Sequence, residues 1–270
     1  MRSAWMRSVW KSALLFVAVG FVSSSAVAQV VGTVRVVPTY LTSEADNGLK
    51  MDMSSFPVTV GLFSNRFALH ATFPYVQMHA EVPVTYIGGP IFRIPVGGQV
   101  IDEDGPGDVV VSPSFAIVEG GLSRPWVWVG ARVKVPTADS DKYLGTGEYD
   151  YGPDAGIMGV VNSRLLLLGS AFYDVRGDTQ YVDYTNTLAL TGAGRIRVGA
   201  VSGLTFAGTH GSGLVEDADP VWTVTTGYDH PFRNGYSIYG GAFKELSGPV
   251  NAYGLAIGFI YREGPLNWGG

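Results

Sequence analysis

Hydrophobic and polar residues alternate along most of this chain with the period of two that is typical of β-strands. The clearest segment is 252–261, where every second residue from Tyr253 to Tyr261 is large and apolar. The alternate positions from Ala252 to Gly258 are alanine or glycine. A face that is aromatic at its ends and aliphatic within is typical of a strand that faces lipid. The pattern therefore predicts a strand with one lipid face and one small-residue lumen face.

The same alternation recurs and predicts about twelve strands, near residues 31–41, 49–62, 66–75, 107–119, 125–136, 155–161, 164–173, 188–199, 203–210, 221–230, 235–243 and 252–261. Short connections alternate with long ones, and the long ones are 42–48, 76–106, 137–154, 174–187, 211–220 and 244–251. Transmembrane barrels have short periplasmic turns and longer external loops. The predicted fold is an all-β, transmembrane, antiparallel up-and-down β-barrel with both termini in the periplasm.

Basic residues alternate with apolar ones in two of these strands. Arg132 and Lys134 alternate with Ala131, Val133 and Val135. Arg195 and Arg197 alternate with Ile196 and Val198. An arginine or lysine that faces lipid near the bilayer midplane costs roughly 2–4 kcal/mol. We therefore expect all four basic residues to line the lumen.

A charge that is buried in a lumen needs a partner. Asp108 and Glu119 are the candidates for this role, with pore water as the alternative. Trp126 and Trp128 have the same parity as Arg132, which predicts an aromatic patch inside the lumen. A bulge that moves the tryptophans into the periplasmic aromatic girdle is the alternative.

The connection 76–106 is far longer than the few residues that usually join two strands. It contains apolar residues, among them Tyr86, Ile91, Phe92 and Ile94. Its prolines and paired glycines are expected to stop it from extending the sheet. The sequence thus predicts an entrance loop that folds into the lumen or caps it, with an outer hairpin above the membrane as the alternative.

The first 28 residues have the pattern of an export signal. A basic start, an apolar stretch from Ala13 to Val22 and the small-residue pattern Ala26-Val27-Ala28 predict cleavage after Ala28. An uncleaved anchor is the alternative. The predicted organisation is a signal peptide over 1–28 and one barrel over 29–270, in the bacterial outer membrane.

The composition agrees with a membrane barrel and excludes several other classes. Charged residues make up 15%, against about 25% in typical soluble proteins, and the mean hydropathy is +0.19. No apolar run after the signal reaches the roughly 18 residues that a spanning helix needs. A net charge of −5 disfavours binding to nucleic acid, and the absence of cysteine excludes thiol chemistry and disulfides.

Short motifs in the central part of the chain resemble those of a known family. They are Gly107-Asp108 with Pro113, the strand end Val133-Lys134-Val135-Pro136-Thr137, the segment Leu144-Gly145-Thr146-Gly147, and Phe73-Pro74-Tyr75 upstream. Together they resemble the outer-membrane transporter family named for the MetA pathway of phenol degradation. The resemblance implies a barrel that passes small, hydrophobic or aromatic compounds. Ala138 departs from the glycine usual there, and the nine residues after Tyr261 depart from a terminal aromatic.

An enzymatic function is an alternative to transport. His210 and Ser212 share strand parity, with Glu216 nearby, and such a pattern resembles lipid-modifying outer-membrane hydrolases. The same residues also fit an ordinary loop, and we predict no catalytic residues. The acidic residues of 137–154 lack the ordered spacing of a calcium loop, so no metal and no cofactor are expected.

The leading functional hypothesis is a passive outer-membrane channel for small, hydrophobic or aromatic molecules. A structural barrel with a plugged lumen is the alternative, followed by the lipid hydrolase. The expected partners are outer-membrane lipid, a small-molecule solute and the barrel assembly machinery, and no nucleic acid.

Overall fold

The computed structural model describes residues 30–45, 50–82, 85–87, 94–96, 99–121, 123–177, 186–212, 220–247 and 250–263. The predicted signal peptide lies outside them, as does the chain after residue 263. The strands are β1 (Val31–Val36), β2 (Thr39–Ala45), β3 (Lys50–Ser55), β4 (Val58–Phe63), β5 (Phe67–Phe73), β6 (Tyr75–Val82), β7 (Thr85–Ile87), β8 (Ile94–Val96), β9 (Gln99–Pro106), β10 (Val109–Val118), β11 (Trp126–Val135), β12 (Asp150–Asn162), β13 (Leu165–Asp174), β14 (Thr187–Val198), β15 (Ser202–Gly211), β16 (Val221–Pro231), β17 (Tyr236–Ser247) and β18 (Val250–Arg262). A short 3-10 helix, η1, spans Ser140–Lys142.

The strands form one closed antiparallel barrel, which confirms the predicted fold class. Eight barrel strands are continuous, β11 to β18, and four consist of two segments each: β1 with β2, β3 with β4, β5 with β6, and β9 with β10. These make twelve strands. The sheet closes because β18 pairs with β17 on one side and with both β1 and β2 on the other. Within the described ranges, no helix is long and apolar enough to cross a membrane.

Proline accounts for three of the four breaks that divide barrel strands into two segments. Pro38 separates β1 from β2, Pro57 separates β4 from β3, and Pro74 separates β5 from β6. Proline has no amide hydrogen to donate, so the hydrogen-bond ladder is interrupted at each of these positions. In the fourth strand Gly107 and Asp108 form the break, and there Tyr75 pairs with Pro106 while Thr72 pairs with Val110. Two residues, 73 and 74, thus oppose three, 107–109, which is a β-bulge.

The two faces of the barrel wall differ in chemistry below these breaks. Large apolar residues are exposed on one face, as in β18, where Tyr253, Leu255, Ile257 and Phe259 are each more than half exposed. Small and polar residues occupy the opposite face. Charged side chains are expensive in lipid, so the apolar face meets the membrane and the polar face lines the lumen. The assignment made for β18 from its sequence is confirmed in this respect.

Above the breaks, the polarity is reversed in β2, β3, β6 and β9, which we call the upper sheet. Leu255 faces outward and pairs with Tyr40, so Tyr40 and the residues in register with it also face outward. Those residues are polar and exposed in β6 and β9, as at Gln77, His79 and Asp102. The inner face carries apolar residues, namely Leu41, Met51, Met53, Val76, Met78 and Ile101. A polar outer face indicates that the upper sheet projects beyond the hydrocarbon layer.

Several predicted connections are shorter than expected because the strands run further. The prediction of a loop over 76–106 was wrong, because residues 75–82 and 99–106 form β6 and β9, which pair with each other and extend the sheet. Prolines and glycines did not prevent this extension, since Pro106 lies at the strand end and the paired glycines fall outside β6 and β9. Likewise 42–48 shrinks to 46–49, 244–251 shrinks to 248–249, and 137–154 shrinks to 136–149.

Candidate functional site: the lumen wall and its mouth

The strand β11 places four of the predicted lumen residues on one face. Its register with β12 runs without interruption from Trp126 opposite Met158 to Lys134 opposite Asp150. Trp126, Trp128, Arg132 and Lys134 therefore share the inner face. A β-bulge does lie beside the tryptophans, in β10 between Ala116 and Val118, whereas β11 keeps its alternation. Whether the tryptophans line the lumen or belong to the girdle stays a prediction.

Lys134 is the centre of a buried ion network at the upper end of the lumen. Its ammonium lies 2.7 Å from a carboxylate oxygen of Asp150 and 3.5 Å from one of Asp108. It also donates a hydrogen bond of 2.6 Å to the hydroxyl of Thr146. Asp150 is only 5% exposed and accepts from the amide of Gly177 through its other oxygen. Lys134 thereby joins three separate parts of the chain.

Asp108 was correctly anticipated as a partner for the basic residues, whereas Glu119 was not. Glu119 forms its ion pair with Arg66, which lies in the turn before β5. Asp150 was missed because it was assigned to a loop together with Asp154. The alternation of Asp150, Gly152 and Asp154 with outward-facing residues continues the pattern of β12 and could have extended the predicted strand.

Arg132 remains accessible inside the barrel. Its guanidinium carbon lies 5.0 Å from the centroid of the Phe172 ring, an arrangement that attracts a cation to the ring face. On the intervening strand β12, Arg132 is opposite Gly152 and Phe172 is opposite Asp154. Arg132 is exposed although it lies on the inner face, so it adjoins solvent-accessible space inside the barrel.

Arg195 and Arg197 share the inner face of β14. The guanidinium of Arg195 makes two hydrogen bonds with the carboxylate of Asp229, at 2.9 and 2.7 Å. The arginine spans the intervening strand, and a Cβ added at Gly203 would lie 2.4 Å from its guanidinium. Glycine at 203 is therefore what allows the side chain to cross. Arg197 is exposed.

Trp128 lies flat against β12. A Cβ added at Gly156 would come within 2.1 Å of the Trp128 ring, so only glycine leaves room for the indole there. Trp126 lies in the same way close to Gly120. The two tryptophans thus lie against the inner wall, at the lower end of β11.

The predicted entrance residues are only partly described. Tyr86 and Ile94 belong to β7 and β8, which pair as a small antiparallel hairpin with Tyr86 opposite Pro95. Ile91 and Phe92 lie outside the described residues. Whether this hairpin controls access to the lumen stays a prediction.

The motifs that carry the family resemblance meet in space at the top of the lumen. The carboxylate of Asp108 accepts hydrogen bonds from the amides of Thr137 and Ala138, at 3.1 and 3.0 Å. The hydroxyl of Thr137 donates to the carbonyl of Gly107 and accepts from the amide of Val109. With Lys134 and Thr146 added, three motifs distant in sequence form one connected network.

Lys142 attaches the middle of the same connection to β9. Its ammonium lies 2.7 Å from the carboxylate of Glu103. This hydrogen bond, with the nearby charges of Glu103, Asp104 and Asp139, raises the pKa of Lys142 above its ordinary value. Lys142 therefore keeps its positive charge throughout the physiological pH range.

The residues considered for catalysis are not arranged as a nucleophile and its base. His210 lies on the outer face against Trp222, with ring centroids 4.5 Å apart, and its Nδ1 has no hydrogen-bond partner. The hydroxyl of Ser212 accepts from the amide of Leu188 at 3.0 Å. Glu216 lies outside the described residues. Across the part of the chain that is described, no group of three or more acidic or histidine side chains could hold a metal ion.

A closed antiparallel barrel with an apolar outer band and a charged, wet interior defines this chain as an outer-membrane β-barrel protein. No protein-family profile matches the chain, and no curated protein matches it by sequence. Solved structures do match. The COG4313 outer membrane channel from Pseudomonas putida F1 is similar with a TM-score of 0.63 and 12% identity, over 90% of this chain and 98% of that one.

Two further solved structures are similar at lower scores. The KdgM porin has a TM-score of 0.48 and 12% identity, over 84% of this chain and 98% of its own. The CymD monoaromatic hydrocarbon channel has a TM-score of 0.46 and 9% identity, over 86% of this chain and 87% of its own. At such identities the likeness to the COG4313 channel concerns the fold, which it confirms.

Proposed function

We propose that this protein is a passive channel for small molecules through the bacterial outer membrane. The observation that carries the proposal is the charged interior of the barrel, where Arg132 remains exposed although it faces inward. A plugged barrel would bury such residues against a packed core. Among the described residues, only Val37, Ala80 and Ala252 are buried hydrophobic residues, and no large side chain is fully buried.

The chemistry of the mouth supports solutes that have an apolar part. The inner face of the upper sheet carries Met51, Met53 and Met78 beside Leu41 and Ile101. Methionine side chains are flexible and polarisable, so such a surface adapts to ligands of different shape. An apolar mouth above a charged lumen would first extract a hydrophobic or aromatic molecule from water and then pass it inward.

The proposal extends to the family of the protein and to the entrance of the barrel. The meeting of the three motifs around Asp108 supports membership of the family named for the MetA pathway of phenol degradation. The apolar connection that contains Tyr86, Ile91, Phe92 and Ile94 would add to the entrance. In this proposal the barrel assembly machinery inserts the chain into outer-membrane lipid.

The test is the conductance of the purified protein in a planar lipid bilayer. We expect discrete single-channel steps, and faster swelling of liposomes in small aromatic solutes than in sugars of similar size. A matched preparation of an outer-membrane barrel without a pore gives the background. Correctly folded protein that produces no conductance steps and no swelling would contradict the channel and leave the plugged barrel.

A further inference from the structure

The connection between β11 and β12, residues 136–149, lies against the inner side of the barrel wall. Lys142 contacts Glu103, and a Cβ added at Gly105 would lie 2.9 Å from the Leu144 side chain. Glu103 and Gly105 are both on the inner face of β9, since they pair with Met78 and Val76. A loop that stood clear above the barrel would make no such contacts.

Further attachments fix both ends of this connection to the inner wall. At its start, Asp108 holds the amides of Thr137 and Ala138. At its end, Lys134 holds Thr146, and Glu148 lies against Gly177, where an added Cβ would be 2.5 Å from the Cβ of Glu148. The connection is therefore attached along its length to β9, β10 and β11 and to the chain that follows β13.

Tyr143, at the centre of this connection, has an unusual backbone. It follows η1 with φ of 59°, and it is the one non-glycine residue with positive φ in the described part of the chain. The left-handed conformation is strained for a bulky side chain, and glycine would adopt it freely. The side chain is nevertheless 66% exposed, so packing does not explain the residue. Strain that packing does not explain is found at functional sites.

We propose that the connection 136–149 is the outer constriction of the pore and that Tyr143 is the side chain it presents to passing solute. This inference rests on the proposed channel function. Lys134, Lys142 and Asp108 act as positioning residues, because they hold the constriction against the wall. The exposed aromatic ring then narrows the opening and offers a flat surface to the solute.

The first experiment replaces Tyr143 with glycine. Tyr143→Gly removes the ring and relieves the strain, so the folded barrel should withstand urea at least as well as the parent chain. Since pore radius and lining control conduction, we expect a rise in single-channel conductance on the order of twofold. The control is Phe232→Ala, which removes an exposed ring from the turn at the opposite end of the barrel and should leave conductance unchanged. Equal conductance of Tyr143→Gly and the parent would overturn the proposal.

The second experiment tests the attachment of the loop. Lys142→Met and Glu103→Gln each break the same ion pair. Because the loop is then held less firmly, both variants should show larger fluctuations in single-channel current, and the loop should be cut more readily by protease. The double variant should be no more affected than either single one. Additive effects, or no effect in any of the three, would show that this ion pair does not hold the constriction.

The third experiment locates the loop without using conduction. The chain contains no cysteine, so the pair Gly105→Cys and Leu144→Cys should form an intramolecular disulfide under mild oxidation, while each single variant should not. If the cross-link forms and the parent barrel does not conduct, the channel function fails while the loop position stands. If the parent conducts and no cross-link forms, the constriction is wrong and the channel stands.

Discussion

At the scale of single residues, the lumen is organised by pairs of opposite charge. Lys134 is held by Asp108 and Asp150, and Arg195 is held by Asp229. Removing one partner of a buried pair leaves an uncompensated charge, which is costly. The basic residues on this face are therefore not equivalent: Lys134 and Arg195 are held in ion pairs, whereas Arg132 is exposed.

Replacing Arg132 should alter ion selectivity without damage to the fold. Arg132→Gln removes a positive charge from the lumen, so the channel should shift toward cations. Adding Lys134→Gln should shift it further, and should also lower the stability of the barrel because Asp108 and Asp150 then lose their partner. Reversal potentials in a salt gradient measure the change. The control is Lys50→Gln, which removes a positive charge on the outer face of the upper sheet. Unchanged selectivity in a folded, open double variant would mean that these residues lie outside the conduction path.

The pair of Arg195 and Asp229 should contribute to the stability of the barrel. Both side chains are about one fifth exposed, and contacting residues show coupling free energies of about 0.5–3 kcal/mol. We expect Asp229→Asn and Arg195→Gln each to lower the urea midpoint, and the double variant to be less destabilised than the two effects combined. Strict additivity would indicate that the two residues do not interact in the folded protein.

At the scale of elements, the proline breaks divide the barrel into a membrane part and an upper sheet. The connection 76–106 was predicted too long because the strands at its two ends have polar residues on their outer face. The membrane strands have apolar residues there. Asp102 and His79 face outward there, whereas Arg132, Lys134 and Arg195 face inward in the membrane strands. The pattern of outward apolar residues therefore does not identify β6 and β9. In the structure β6 pairs with β3, and β9 pairs with β6.

Removing the outer part of this connection should leave the barrel intact. Val82 pairs with Gln99 at the end of β6 and β9, so a short Asn-Gly turn can replace residues 83–98. We expect normal membrane insertion, with higher conductance and broader solute uptake if the apolar segment narrows the entrance. A scrambled sequence of the same length is the control. Identical conductance with and without the segment would leave only the outer hairpin.

At the scale of the whole molecule, the long connections should lie on the outside of the cell. Protease added to intact cells should cut within 83–98, which joins the upper ends of β6 and β9, and less readily within 136–149, which is held by Lys134 and Lys142. It should never cut at the Asn162 turn. Mass spectrometry of the fragments identifies the sites, and permeabilised cells are the control. Cleavage at the Asn162 turn in intact cells would reverse the predicted orientation.

The sequence by itself determined the fold class, the approximate strand count and which residues share a face in β11, β14 and β18. These follow from the alternation of side chains, because one face must tolerate lipid and the other must accept charge. Tertiary structure decided the pairs of Arg195 with Asp229 and of Lys134 with Asp150. Arg195 reaches Asp229 across a neighbouring strand, over a glycine. Lys134 contacts Asp150 only when β11 and β12 are in register. It also decided that 136–149 lies against the inner wall. Such contacts join residues far apart in the chain, and their geometry depends on register and closure, which no local pattern encodes.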